Sequence, residues 1–160
     1  MTPRKTLQLG LALLAASTGT AFAMPNNFVN SAMIGGADET LLVQQAGNTF
    51  KETDIQTYVG VMVKDHTIIN EQLAEIAKKH DIDLPVPPTQ IAPPPKIPGK
   101  SAQASFAANQ VDVTQVLFDL YTQEANSSDE PDLKAFAQLQ LKDVRRHARM
   151  ASRLSKTYKK

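Results

Sequence analysis

The chain has 160 residues and a formal net charge of +1, from 17 Lys and Arg against 16 Asp and Glu. This near-neutral balance implies no particular partner, and the low aromatic content argues against nucleic acid. The chain contains no cysteine, which excludes a disulfide framework, thiol catalysis and a lipid-anchored lipoprotein.

Residues 1–23 have the three-part pattern of a secretory signal peptide. Arg4 and Lys5 form a positive n-region, residues 7–16 form an apolar h-region, and residues 21–23 are Ala-Phe-Ala. The pattern predicts cleavage after Ala23 and a periplasmic chain that begins at Met24. Loss of the two basic residues changes the formal charge from +1 to −1. No later apolar run is long enough to span a bilayer, so we expect no transmembrane segment in the mature chain.

Apolar residues spaced three and four apart predict two helices in the first half of the mature chain. The first covers residues 28–50, with Glu39 on its apolar stripe and Gly35-Gly36 allowing close approach of a neighbouring helix. The second begins at residues 53–54 and ends at 78–80. Its stripe consists of Ile55, Tyr58, Val59, Met62, His66, Ile69, Leu73 and Ile76. His66 therefore lies on the buried face, and Asp65 points about 100° away from it.

Residues 82–100 contain seven prolines, which favour extended polyproline conformation. We interpret this segment as a stiff crossover that joins two helix pairs. The alternative is a ligand for a proline-binding groove.

The same spacing predicts a third helix over residues 102–126 and a fourth from residue 128 or 129 to 158. The third has one broad apolar side, formed by Phe106, Val113, Val116, Leu117, Leu120 and Tyr121. The stripe of the fourth is Leu133, Ala137, Gln140, Val144, His147, Ala151, Leu154 and Tyr158. We expect an all-α fold in which residues 24–160 form an antiparallel four-helix bundle, with a long Pro-rich crossover between helices 2 and 3.

Five segments of this sequence resemble one family. They are residues 28–39, 62–66, 73–85, 132–137 and 144–151, and the Met-x-x-Asp-His sequence at 62–66 is the most specific part. The chain resembles DUF4142, a family of exported bacterial proteins of unknown function. The resemblance implies a ferritin-like fold and an envelope location, with no established activity. Where the family repeats an Asp-His pair on the third helix, this chain has Gln110-Val111, which argues against carrying over a metal role.

Glu39, His66 and His147 come from three helices, each on an apolar stripe near mid-helix, so we expect them to meet in one buried layer. A catalytic di-iron site is excluded, because Val63 and Val144 stand where the Glu of each Glu-x-x-His motif is required. We favour the interpretation that the three side chains satisfy one another by hydrogen bonds, with no cofactor. The alternative is a single Zn²⁺, Mn²⁺ or Fe²⁺, in a metal-binding, redox or metal-handling protein.

The C-terminal helix carries a basic ridge, formed by Arg145, Arg149, Arg153, Lys156 and Lys160. We favour a solvated outer face, and His80 is interpreted in the same way as a solvated helix end. The alternative is contact with an anionic envelope surface or an acidic envelope protein. No catalytic motif is present, so the favoured function is an exported binding or structural envelope protein, with ligand and oligomeric state unassigned.

Overall fold

The computed structural model describes residues 25–159, so the predicted signal peptide and Lys160 lie outside the described residues. The four helices are α1 (Pro25–Thr49), α2 (Thr53–Lys79), α3 (Ala102–Ser127) and α4 (Pro131–Thr157). No strand occurs among the described residues, which confirms the all-α prediction. None of these helices combines the length and apolar character needed to cross a membrane.

The predicted stripes of α2 and α4 face the core, and two residues, one in α3 and one in α4, need correction. Val116 is 66% exposed, although it was placed on the apolar side of α3. It is rotated about 100° from its buried neighbour Leu117, which turns it to solvent. Phe136 is buried, but it lies beside the predicted stripe of α4 rather than on it.

Along α2, the contacted residues of α4 run in the reverse chain order, and the same holds for α1 and α3. From the start of α2 to its end, the contacts with α4 are Asp54 with Tyr158, Asp65 with His147, Gln72 with Gln140 and Lys79 with Asp132. Between α1 and α3 they are Phe28 with Tyr121 and Phe50 with Phe106. Residues early in one helix therefore meet residues late in the other, in both pairs.

The Pro-rich segment lies on α1 and reaches the start of α3. The Gln45 side chain of α1 donates a hydrogen bond to the carbonyl of Ile91, at 2.7 Å. The backbone N–H of Ile97 donates to Ser105 Oγ of α3, at 3.1 Å. These contacts hold the segment against the helices without secondary structure of its own.

The buried apolar residues form two separate clusters. The first apolar cluster includes Phe28, Val29, Met33, Ile69, Leu73, Tyr121, Leu133, Phe136, Ala137 and Val144. The second apolar cluster includes Val43, Ala46, Ile55, Tyr58, Met62, Phe106, Ala107, Ala151 and Leu154. On every helix, the residues between the two clusters include a buried polar side chain.

Candidate functional site

Five polar side chains, contributed by all four helices, occupy the gap between the apolar clusters. This polar layer consists of Glu39 from α1, His66 from α2, Gln110 and Thr114 from α3, and His147 from α4. None of the five residues is more than 2% exposed. Glu39, His66 and His147 were predicted to converge; all three are buried between the two apolar clusters, and of the three the two histidines lie beside each other.

His147 is fixed by a carboxylate at the edge of the layer. Its Nε2 lies 2.7 Å from Asp65 Oδ2, and the Arg146 guanidinium contacts the same oxygen. Although burial acts to raise it, the pKa of Asp65 is held below its usual value by hydrogen bonds from His147 and Arg146. Because an ionised carboxylate only accepts, Nε2 of His147 carries the proton of this hydrogen bond. Burial lowers the pKa of His147, so the ring is neutral at pH 7. With its proton on Nε2, the neutral ring keeps a lone pair at Nδ1.

His66 lies beside His147 but has no polar partner. The centroids of the two imidazole rings are 5.0 Å apart. Within the described structure, neither ring nitrogen of His66 has a hydrogen-bond partner. Burial, followed by the nearby His147, lowers the pKa of His66 from 6.5 to about 3. This histidine is therefore neutral at pH 7.

Gly36 explains how α1 comes so close to His66. A Cβ atom on Gly36 would lie 3.2 Å from His66 Nδ1 and 2.6 Å from Asn70 Oδ1. A Cβ atom on Gly35 would lie 2.8 Å from Leu117 Cδ2. The two glycines therefore permit close packing of α1 against α2 and α3, as their position in the sequence suggested.

Glu39 is completely buried, and neither carboxyl oxygen has a hydrogen-bond partner among the described residues. Burial raises the pKa of Glu39 to about 8, so the group is protonated at neutral pH.

Gln110, on α3, accepts a hydrogen bond at Oε1 from the Tyr58 hydroxyl at 2.8 Å. Its Nε2 has no partner in the described part of the chain.

These contacts correct the favoured interpretation of the layer. Glu39 and His66 do not satisfy each other by hydrogen bonds, and His147 bonds to Asp65 instead. The ligand atoms of Glu39, His66 and His147 are not all within 4.8 Å of one another. One carboxyl and two imidazole groups still match the donor types that Zn²⁺, Mn²⁺ and Fe²⁺ accept. Side-chain rotation would be required to bring the three donors onto one ion.

A second polar cluster joins the end of α2 to the start of α4. His80 and Lys79 both contact Asp132 Oδ2 at 2.7 Å, and the ligand atoms of His80, Glu130 and Asp132 lie within 4.8 Å of one another. His80 is half-buried and bonded, so its interpretation as a solvated helix end is wrong. Sequence spacing gave no signal for this cluster, because Lys79 and His80 are more than 50 residues from Asp132.

The basic ridge lies on the outer face of α4. Arg145, Arg149, Arg153 and Lys156 are all exposed, and none has an ion-pair partner within 4.0 Å among residues 25–159. The Arg145 guanidinium lies over the Phe118 ring, 5.7 Å from its centroid. Arg146 is different, since it points to Asp65 and Asp143.

Comparison with known proteins identifies the family. The chain is similar to the crystal structure of a conserved hypothetical protein from Mycobacterium tuberculosis, with a TM-score of 0.68 and 14% sequence identity over 82% of this chain and 89% of that chain. At this identity the likeness shows the fold alone. No functionally curated protein matches the chain. The family described as "Domain of unknown function (DUF4142)" matches residues 11–154. The chain therefore belongs to the DUF4142 family, as its sequence resemblance indicated.

Proposed function

We propose that this chain is an exported envelope protein whose residues 24–160 form an antiparallel, ferritin-like bundle. The opposite contact orders of α2 with α4 and of α1 with α3 support the antiparallel arrangement. The hydrogen bonds of residues 82–100 to Gln45 and Ser105 support a Pro-rich crossover. The n-h-c pattern of residues 1–23 supports periplasmic export. Mass spectrometry of the exported protein should give a chain that begins at Met24, and an intact Met1 would refute export with cleavage.

Within this bundle, we infer that the polar layer binds a single divalent metal ion through Glu39, His66 and His147. One observation carries the proposal: four polar atoms of Glu39 and His66 are buried without a hydrogen-bond partner in the described structure. Leaving a buried polar group unsatisfied costs about 1–3 kcal/mol. A bound cation would satisfy several of these atoms at once, which makes the layer a binding element.

The surroundings of His147 suit it to this role. A histidine that ligates a metal usually donates its other ring N–H to a carboxylate, which fixes the tautomer and the ring orientation. Asp65 holds Nε2 of His147 in this way, at 2.7 Å. Nδ1 then keeps its lone pair for a metal ion, in a ring whose centroid lies 5.0 Å from that of His66, whose two nitrogens have no partner in the described structure. Glu39 would supply the negative charge after losing its proton.

The role is binding or structural rather than catalytic. Val63 and Val144 replace the carboxylates that a di-iron site needs, so the layer has one carboxyl ligand where such a site uses four. Gln110 adds an amide, which is a weaker ligand than the Asp-His pair of the family at this position. One ion with a small donor set fits storage, transfer or stabilisation.

Elemental analysis of the mature protein, purified from the periplasm without added metal, tests this proposal. We expect about one ion per chain, absent after His66→Ala and retained after His80→Ala, because His80 lies outside the layer. Chelator should lower the melting temperature of wild type, since a ligand that binds only the folded state stabilises it. A protein that is purified without metal, and whose melting temperature is unchanged by chelator and by added Zn²⁺, would refute metal binding.

The basic ridge favours a second function, attachment to an anionic envelope surface. Four cationic side chains at three- and four-residue spacing are exposed along one helix face without described ion-pair partners. Lipid head groups, lipopolysaccharide and acidic envelope proteins all offer the complementary charge.

A further inference from the structure

Gly60 is a glycine that packing does not explain. It lies inside α2 and is exposed, and a Cβ atom built on it would meet nothing within 4 Å. Glycine inside a helix costs about 1 kcal/mol relative to alanine. Gly36 and Gly47, by contrast, each lie within 3.2 Å of a neighbouring side chain when a Cβ is added.

The missing side chain leaves a surface cleft open beside Asp65. The cleft has a volume of about 440 Å³ and is lined by Gly60, Val61 and Lys64 of α2, together with Asp65 and Arg146. Asp65 is also the residue that bonds to His147. The cleft therefore ends at the outer edge of the polar layer.

A continuous series of contacts leads from this cleft into the layer. Exposure of the side chains falls along the series, from 44% for Arg146 to 15% for Asp65 and 2% for His147. The imidazole of His66 follows, with its centroid 5.0 Å from that of His147. The series therefore joins the surface cleft to the buried ring nitrogens of His66, which have no partner in the described structure.

Arg146 has a second carboxylate partner besides Asp65. Its guanidinium contacts Asp65 and also lies 3.1 Å from Asp143 Oδ1, one turn earlier on α4. If Arg146 keeps only the second contact, Asp65 is left as an ionised carboxylate at the end of the cleft. A partly exposed carboxylate with a nearby imidazole is a docking point for a hydrated divalent cation.

We propose that the cleft at Gly60 is the entrance through which divalent cations reach the polar layer, with Asp65 as the first docking group and Arg146 as its cover. The nature of the cargo rests on the proposed function, whereas the position of the entrance rests on the cleft and the contact series. Substitution at Gly60 should therefore change how fast the layer is reached while leaving its composition intact.

Labelling of histidines with diethylpyrocarbonate, followed by peptide mass spectrometry, tests access in metal-free protein. Gly60→Leu fills the cleft, and Gly60→Ala makes a similar gain in helix propensity with little added bulk. We expect Gly60→Leu to slow labelling of His66 and His147 about tenfold, as when local access becomes rarer by that factor. His80 serves as the internal standard, and its rate should be the same in both variants. Unchanged rates at His66 and His147, or equal slowing by Gly60→Ala, would refute the proposal that the cleft is the entrance.

Zn²⁺ uptake into chelator-treated protein separates this inference from the proposed function. With the entrance at Gly60, Gly60→Leu slows uptake about tenfold with unchanged final stoichiometry, and Arg146→Gln accelerates it. Equal uptake rates in wild type and Gly60→Leu would overturn the entrance while leaving metal binding in place. Failure of wild type to take up any Zn²⁺ would refute the proposed function and, with it, the cation as cargo.

Discussion

Leu73 and His66 lie two turns apart on the same face of α2, and both are almost completely buried. Around Leu73, the first apolar cluster needs only apolar side chains of suitable volume, and many combinations satisfy that need. Around His66, every nitrogen and oxygen needs a particular partner, and several have none in the described structure. The apolar clusters therefore stabilise the fold, whereas the unpartnered atoms of the polar layer cost stability in the metal-free protein.

The largest expected effect is in the apolar clusters. Leu73→Ala should lower the free energy of unfolding by about 2–5 kcal/mol, because it removes buried methyl groups and leaves a cavity. Leu139→Ala is the matched control, since Leu139 is 55% exposed, and should change stability by less than about 0.5 kcal/mol. Urea unfolding measures both. Similar losses in the two variants would show that the cluster is not the source of stability.

The two histidines of the polar layer should respond differently in chelator-treated protein. His147→Leu removes the hydrogen bond to Asp65 and should cost about 1–3 kcal/mol. His66→Leu removes no hydrogen bond of the described structure, so it should be neutral or stabilising. Urea unfolding in the presence of chelator gives both values. A larger loss for His66→Leu would mean that His66 has an essential partner in the metal-free state.

Stability of the metal-free protein should fall on both sides of a plateau in pH. Glu39 has its pKa raised from 4.5 to about 8, so between these values only the folded state holds its proton, and rising pH destabilises. His66 has its pKa lowered from 6.5 to about 3, so between these values only the unfolded state is protonated, and falling pH destabilises. The two effects oppose each other between pH 4.5 and 6.5.

Glu39 and His66 should each contribute a slope of up to about 1.4 kcal/mol per pH unit. Glu39→Gln should flatten the limb above pH 6.5. His66→Leu should reduce the slope of the limb below pH 4.5, where Asp65 and Asp132, whose pKa values are also lowered, still contribute. Urea unfolding across this pH range, with chelator present, checks both. An alkaline limb that persists in Glu39→Gln would assign it to another group.

Gly36 and Gly60, both inside helices, should respond in opposite ways to substitution by alanine. Gly60→Ala should raise the free energy of unfolding by about 1 kcal/mol, because the new Cβ meets no neighbour and alanine favours the helix. Gly36→Ala should lower it by about 1 kcal/mol or more, since its Cβ would crowd Asn70 and His66. Thermal unfolding of the pair compares them directly. Equal gains would show that α1 is free to move away from His66.

The smallest effect on stability is expected at the basic ridge. Replacing Arg145, Arg149 and Arg153 by Gln should change the free energy of unfolding by less than about 0.5 kcal/mol per site. It should abolish sedimentation with anionic vesicles at low salt, where each exposed cation contributes about 1 kcal/mol. A wild type that does not sediment with these vesicles would leave the ridge as a solvated face.

The sequence was sufficient to predict the four helices and most of their buried faces. The three- and four-residue spacing of apolar residues was enough to locate His66 and His147 on buried helix faces. The same spacing placed Leu133 in the core. Val116 was placed wrongly because α3 has small and polar residues on its buried face, such as Ala107 and Gln110, which weaken the period. Phe136 was missed because it lies at the edge of the α4 stripe, whose centre is marked by Leu133, Ala137 and Gln140.

Side-chain partners in the polar layer were harder to predict. The bond between Asp65 and His147 depends on the rotation and height of α4 relative to α2, which periodicity leaves free. For the same reason a hydrogen bond between Glu39 and His66 was expected, whereas neither side chain has a hydrogen-bond partner in the described structure. His80 and Asp132 meet because the end of one helix and the start of another share a level, across 52 residues.

Anomalous X-ray diffraction from crystals of the periplasmic protein, purified without added metal, tests the central claim most directly. Data on both sides of the absorption edge of each metal found by elemental analysis identify the ion and its position. We predict one anomalous peak in the polar layer, bounded by Glu39, His66 and His147, with Asp65 still bonded to His147. A layer without an anomalous peak, in which water molecules bridge Glu39 and His66, would contradict the proposal.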